Sequence, residues 1–238
     1  MKRIKISLVL WTALFCSFIA KAQTAEDIIA KNLDAMGGKN KIGQVKSIYT
    51  EGTVQVMGND NPTSTTILNG IGIRSESEFN GQKFIQVFTD KGGWMINPFA
   101  GGSGAQPLPD DAYKAGKGQI YIGGPFYDYA AKGTKIELLG KDGAAYKLKV
   151  TTSDSVESTY YVDPTTYYIT KLVRKGNMQG QEVEVTINFS NYQKTDFGLV
   201  VPHSVQTDMG GTFQLSATIT KVVVNKDVDP KIFDMPKS

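Results

Sequence analysis

The sequence holds 238 residues, with 26 lysines and arginines against 23 acidic residues, one cysteine and one histidine. Charge so nearly balanced excludes the basic surface of a nucleic-acid-binding protein, and one cysteine with one histidine excludes a zinc site of the usual ligand set. The length fits one domain, and no linker-like or low-complexity stretch divides it.

Lys2, Arg3 and Lys5 precede an apolar run of 14 residues, Ile6–Ile19, and Ala20-Lys21-Ala22 is a small-x-small site. That pattern predicts a secretory signal peptide cut after Ala22, with export to the periplasm and one domain spanning residues 23–238. Cys16 lies within the run behind the large Phe15, which does not fit a lipobox, and reads as a filler of the apolar segment. Four basic residues lie in the signal (Lys2, Arg3, Lys5, Lys21), so its removal leaves 22 basic and 23 acidic residues and no cysteine. Disulfides and thiolate ligands are thereby excluded from the exported chain.

Thr24–Met36 has an apolar stripe of Ile28, Ile29, Leu33 and Met36, a Thr24 N-cap and acids in its first turn, and predicts an amphipathic helix ended by Gly37-Gly38. A short helical turn over Lys39–Gly43 follows. Lys46–Met57 then predicts a strand with Ile48, Val54 and Val56 on one face. Gly58–Pro62 reads as a turn, and Ser64–Glu76 as one strand carrying Ile67, Ile71 and Ile73. Asn80-Gly81 is a two-residue hairpin signal between that strand and Gln82–Thr89. A short strand at Trp94–Asn97 closes this meander.

The middle changes character. Pro98–Pro109 reads as a loop and Asp110–Gln119 as a helix. Ile120–Lys132 is apolar and aromatic, and predicts a second short helix from about Pro125, with Gly123-Gly124 as its hinge. Such an insertion between two meanders suits a lid. Trp94, Phe99, Phe126, Tyr127 and Tyr129 flank or occupy it, as core or as the lining of a hydrophobic mouth.

The second meander runs through Thr134–Leu139, a strand with Tyr146, Leu148 and Val150 in alternation, Ser158–Val162 and Tyr167–Lys175. Val183, Val185, Ile187 and Phe189 then alternate with polar residues over Glu182–Tyr192, one apolar face and one wet. Pro202 marks an edge or bulge in Leu199–Thr207. In Thr212–Asn225, Phe213, Leu215, Ala217 and Ile219 share a face before the apolar phase shifts to Val222 and Val224, which a β-bulge explains. Ile232 and Phe233 are expected to tuck the tail onto the body. Altogether the spacing predicts a mainly β chain of roughly ten antiparallel strands, a sandwich or barrel.

No catalytic constellation emerges. His203 has no partners in sequence, the acid pairs Asp110/Asp111 and Asp227/Asp229 suit turns and caps, and Gly101–Gly104 lacks the spacing of a nucleophile elbow. The Asn188-Phe189-Ser190 sequon falls in mid-strand. The chain is therefore expected not to be an enzyme, and to hold no metal or cofactor.

Several stretches resemble the LolA/LolB-like periplasmic carriers that sort outer-membrane lipoproteins. They are AEDIIAKNLDAMGGKNKIGQVKSIYTEGTV, GPFYDYAAKGTKIELLGKDGAAYKLKV, YYVDPTTYYITKLVRK, INFSNYQKTDFGLVVPHSVQTDMGG and VNKDVDPKIFDMP, and the resemblance extends over nearly all of Thr24–Pro236. The resemblance implies a single curved antiparallel sheet forming an incomplete barrel, with helices plugging its mouth. It also implies an apolar inner face for acyl chains, an acylated lipoprotein or other lipid as cargo, transient membrane-protein partners and a monomer. The candidate lining is Ile48, Val54, Val56, Ile71, Ile73, Trp94, Phe126, Tyr129, Tyr146, Leu148, Val150, Val183, Val185, Ile187, Phe189, Phe213, Leu215 and Ile219. The resemblance implies an arginine that controls release; beyond the signal this chain has Arg74 and Arg174, and the resemblance does not assign that role to either. A cell-envelope domain with a filled core has the same periodicity and remains the alternative.

Overall fold

The computed structural model describes residues 23–100, 104–178 and 180–236, so the predicted signal peptide and Gly101–Ser103 lie outside the described residues. Helix α1 (Ala25–Ala35) starts from a capping box in which Thr24 and Asp27 bond reciprocally. It ends in a Schellman turn, with the Gly38 amide on the Leu33 carbonyl and the Gly37 amide on that of Asp34. Helix α2 (Lys39–Ile42) follows as expected.

Thirteen strands among the described residues form one sheet. They are β1 (Ser47–Val56), β2 (Asn59–Leu68), β3 (Gly72–Phe79), β4 (Gln82–Thr89), β5 (Gly93–Ile96) and β6 (Gln106–Pro107), then β7 (Lys135–Asp142), β8 (Ala145–Thr151), β9 (Glu157–Val162), β10 (Ile169–Met178), β11 (Gln181–Lys194), β12 (Val200–Met209) and β13 (Phe213–Val224). Each strand pairs antiparallel with its chain neighbour, except that β13 closes back on β1, giving the order β6-β5-β4-β3-β2-β1-β13-β12-β11-β10-β9-β8-β7. The edges β6 and β7 do not pair, so the sheet is an incomplete barrel. Between them run helix α3 (Asp110–Gly116) and a 3-10 turn, Lys117–Ile120.

Two strand boundaries differ from expectation. Ser64–Glu76 is not one strand but the end of β2 and the start of β3, turned at Asn69–Ile71 with Gly70 left-handed. The turn expected over Gly58–Pro62 is only Met57-Gly58, both at positive φ, and Asn59–Pro62 belong to β2. The Met57-Gly58 hairpin is thus a two-residue loop, tighter than the polar composition of Gly58–Pro62 implied, and the β2–β3 loop has three residues. Pro202 pairs with Tyr192 but lies beyond the β12–β13 pairing, where its missing N–H costs no ladder bond.

The expected bulge is present: Glu51 faces Lys221 and Gly52 faces Ile219, leaving Thr220 as the extra residue. Here β13 crowds β1, and a Cβ built on Gly52 would stand 2.0 Å from the Thr218 carbonyl oxygen. Backbone cannot yield as a side-chain tip does. Gly52→Ala is therefore expected to cost about 3 kcal/mol in denaturant unfolding, and a loss below about 0.5 kcal/mol would show the crossing to be looser than described.

Packing is uneven along the sheet. On the inner face, α1, α2 and residues 121–133 cover β7–β10 through Ile28, Leu33, Ile42, Phe126, Leu148 and Val162. At the other end, Ile73, Phe88 and Ile120 pack beneath Leu108 and Tyr113. On the outer face, the tail lays Phe233 against Ile85, Val87 and Trp94, and the Trp94 indole N–H donates to the Phe233 carbonyl at 2.8 Å.

Candidate functional site

The register defines which side chains share a face. Val56, Leu215, Thr207, Ile187 and Leu172 form one cross-sheet row on the inner side. Val54, Ala217, Val205 and Phe189 form the next row toward α1. Phe213, Met209, Val185 and Arg174 form the row beyond, away from α1. Side chains of alternate strand residues point to one face, so these rows build a trough across the middle strands. Val54, Leu172 and Val185 are buried in it, while Val56, Val183, Ile187, Phe189, Phe213, Leu215 and Ile219 stay partly exposed. None of these residues belongs to the three packed clusters.

The other candidate residues fall elsewhere. Ile48, Phe126, Tyr129, Tyr146, Leu148 and Val150 are in or against the cluster under α1, and Ile73 is in the cluster beneath Leu108. Ile71 is an exposed turn residue. Trp94 faces the opposite side of the sheet: its row is Val87 and Arg74, and the tail covers it. The sequence placed it near the middle insertion, but strand parity rather than proximity in sequence sets its face.

Residues 122–133 are consecutive turns, not the expected helix. Gly123, Gly124, Asp128 and Gly133 all have positive φ, which interrupts any helical run. Nor is this segment loosely held. Phe126 is 1% exposed and Ile122 6%. Phe126 also packs against the Tyr160 ring at 5.7 Å, and the Lys132 ammonium donates to the Tyr127 carbonyl at 2.7 Å. Such anchors seat it as a plug at the α1 end.

Arg74, on the outer face, is fully engaged: it bonds Glu76 at 2.6 Å and the Ile232 carbonyl at 3.0 Å, and lies over Trp94. His203 turns its Nδ1 to the Ile219 carbonyl at 2.9 Å, a structural bond. Asp163 accepts from the Thr165 and Thr166 amides in the turn predicted there, and these bonds hold its carboxyl below the usual range. Among the described residues no group of three or more His, Cys, Asp or Glu side chains is placed to hold a metal ion.

Tyr160 borders the trough beside Leu172. Burial pushes its phenol up to about 12 from an ordinary 10, so it stays a neutral donor at physiological pH. Because the folded state holds this proton more tightly, the contribution is complete below pH 10 and is lost as pH rises from 10 toward 12. Tyr160→Phe should therefore flatten the alkaline fall in stability over that window; an unchanged slope would show that Tyr160 ionises normally.

Two concavities lie at the sheet surface. One of 610 Å³ takes Thr207, Phe213 and Leu215 from the inner rows together with the outer-face row Gln55, Ser216, Gln206 and Asn188. Another of 440 Å³ includes the outer row Glu51, Ser64 and Glu76.

No family model matches the sequence, and no curated protein matches it significantly. Solved structures do. A LolA superfamily protein from Nitrosomonas europaea is 14% identical with a TM-score of 0.59, covering 90% of this chain and 98% of its own. A DUF1329 family protein from Desulfovibrio piger is 12% identical at 0.58, with the same coverage, 90% and 98%. A domain named for outer membrane lipoprotein sorting, from Vibrio parahaemolyticus, is 12% identical at 0.56, covering 87% of this chain and 95% of its own. The unclosed antiparallel sheet, the helices over its inner face and these likenesses agree: the chain has the LolA-like fold.

Proposed function

We infer that the protein is an exported, periplasmic, non-enzymatic carrier that holds an acyl chain of a lipoprotein or other lipid in the inner trough. The observation that carries this reading is the partly exposed apolar surface formed by Val56, Leu215, Ile187, Phe189 and Phe213. A filled-core domain would cover these side chains as it covers Leu148 and Val162, which are 0% exposed. The shared fold with a domain named for lipoprotein sorting supports the same reading. Each methylene laid in the trough contributes about 0.8 kcal/mol through removal from water. Transient membrane-protein partners would deliver and receive the cargo, and the carrier acts as a monomer.

The test is mass spectrometry of organic extracts from the protein purified from its native host. An acyl-bearing species should be present in near-stoichiometric amount, and absent from Ile187→Asp protein prepared in parallel. Equal acyl content in the two preparations would place the lipid outside the trough and overturn the reading.

A further inference from the structure

Strand β10 breaks the apolar rule of the inner face at one position. Leu172 and Arg174 share that face, while Lys171 and Lys175 point outward. The outward cations are engaged: Lys171 lies 3.8 Å over the Tyr161 ring and Lys175 pairs with Glu182 at 2.8 Å. The Arg174 side chain has no hydrogen bond, ion pair or stacked ring among the described residues. Strand parity explains why. Glu157, Glu182, Glu184 and Asp208 on the neighbouring strands all lie on outward positions. On the inner side Arg174 faces Val185 and Ser158, with Leu172 and the neutral Tyr160 hydroxyl beside it. Helix α3 lies against β10, but its Asp110 is paired with Lys114 at 2.7 Å. Burial disfavours the Arg174 charge, yet a guanidinium stays protonated in proteins.

An unpaired, half-buried charge is costly, and a partner anion removes the cost. We propose that Arg174 is the headgroup site of the trough, and that the ligand is a long-chain fatty acid whose carboxylate takes the guanidinium while its chain lies along Ile187, Leu215 and Val56. A carboxylate matches the guanidinium fork bidentately and balances its single charge. Tyr160, held neutral, supplies a second donor. This deepens the carrier reading and rests on it.

The test is titration of the intact protein with sodium oleate below its micellar concentration, with methyl oleate as the uncharged twin. Wild type should bind oleate at least about tenfold more tightly than methyl oleate, the margin expected of a charge-assisted bond. Arg174→Met should lose that preference while keeping the methyl ester affinity, and Arg174→Lys should retain part of it. The unliganded Arg174→Met protein should also melt higher than wild type, because an unpaired buried charge has been removed. Equal binding of the two ligands by wild type would overturn the headgroup assignment and leave the acyl trough standing. Binding of neither would overturn both. Phosphatidylglycerol bound more tightly than oleate, with the same dependence on Arg174, would overturn the carboxylate assignment.

Discussion

Phe126→Ala is expected to lower the unfolding free energy by about 3–5 kcal/mol, the cost of emptying an aromatic site in a packed core. The ring is 1% exposed and joins the plug segment to α1, β8 and β9 through Ile28, Leu148 and Tyr160. For a domain of this size the melting temperature should fall by roughly 10 °C. Phe99→Ala is the matched control: that ring is 67% exposed and should cost less than about 1 kcal/mol. Equal losses in thermal melts would mean that residues 121–133 lift readily, as a lid does, and that the plug description is wrong.

Ile187→Asp separates the trough from the core. Ile187 is partly exposed, so a carboxylate there can reach water, and the loss of stability should be about 1–2 kcal/mol. Leu148→Asp, on the same face but 0% exposed, should cost more than about 4 kcal/mol because the charge has neither water nor a partner. Binding should respond in the opposite sense. Asp at position 187 sets a charge in the path of the acyl chain and should weaken acylated-peptide binding by about 100-fold or more. Asn188→Asp, one residue along on the outer face opposite Lys171, should leave binding unchanged. The measurement is fluorescence titration with a palmitoylated peptide beside a chemical melt of each variant. Similar affinities for Ile187→Asp and Asn188→Asp would remove the trough from the binding surface.

Much of the fold was legible in the sequence because strand alternation is a local signal. Val183, Val185, Ile187 and Phe189 lie on the inner face as their spacing required, and the phase change before Val222 marks a true bulge. Helix α1 was readable from its cap, its stripe and its glycines. What escaped was set by pairing at a distance. Ile71 and Ile73 look alike in sequence, but a turn centred on Asn69-Gly70 sends one to solvent and the other to the core. Asn69-Gly70 was the available signal, of the same type as Asn80-Gly81. Trp94 went to the outer face because its parity is fixed by Val87 and Arg74, residues of other strands. The plug resembled a helix by composition, and only its left-handed residues broke it.

The site was partly legible in the same sense. Periodicity alone gave the same pattern for a covered core and an open trough, because the difference lies in which strands α1 and the plug happen to cover. Arg174 carried a signal of its own, a charge in phase with Leu172 where the pattern demands an apolar residue. Breaks of this kind at otherwise consistent positions are where function is expected.

The central claim is that an acyl chain lies on the inner face of β1 and β11–β13. Methyl-resolved NMR of the intact protein, titrated with a palmitoylated peptide, tests it most directly. The methyl groups of Val56, Val183, Ile187 and Leu215 should shift and show contacts to the chain methylenes, while those of Ile28, Leu148 and Val162 under α1 should not move. Shifts confined to Ile28, Leu148 and Val162, or none at saturating peptide, would contradict the account.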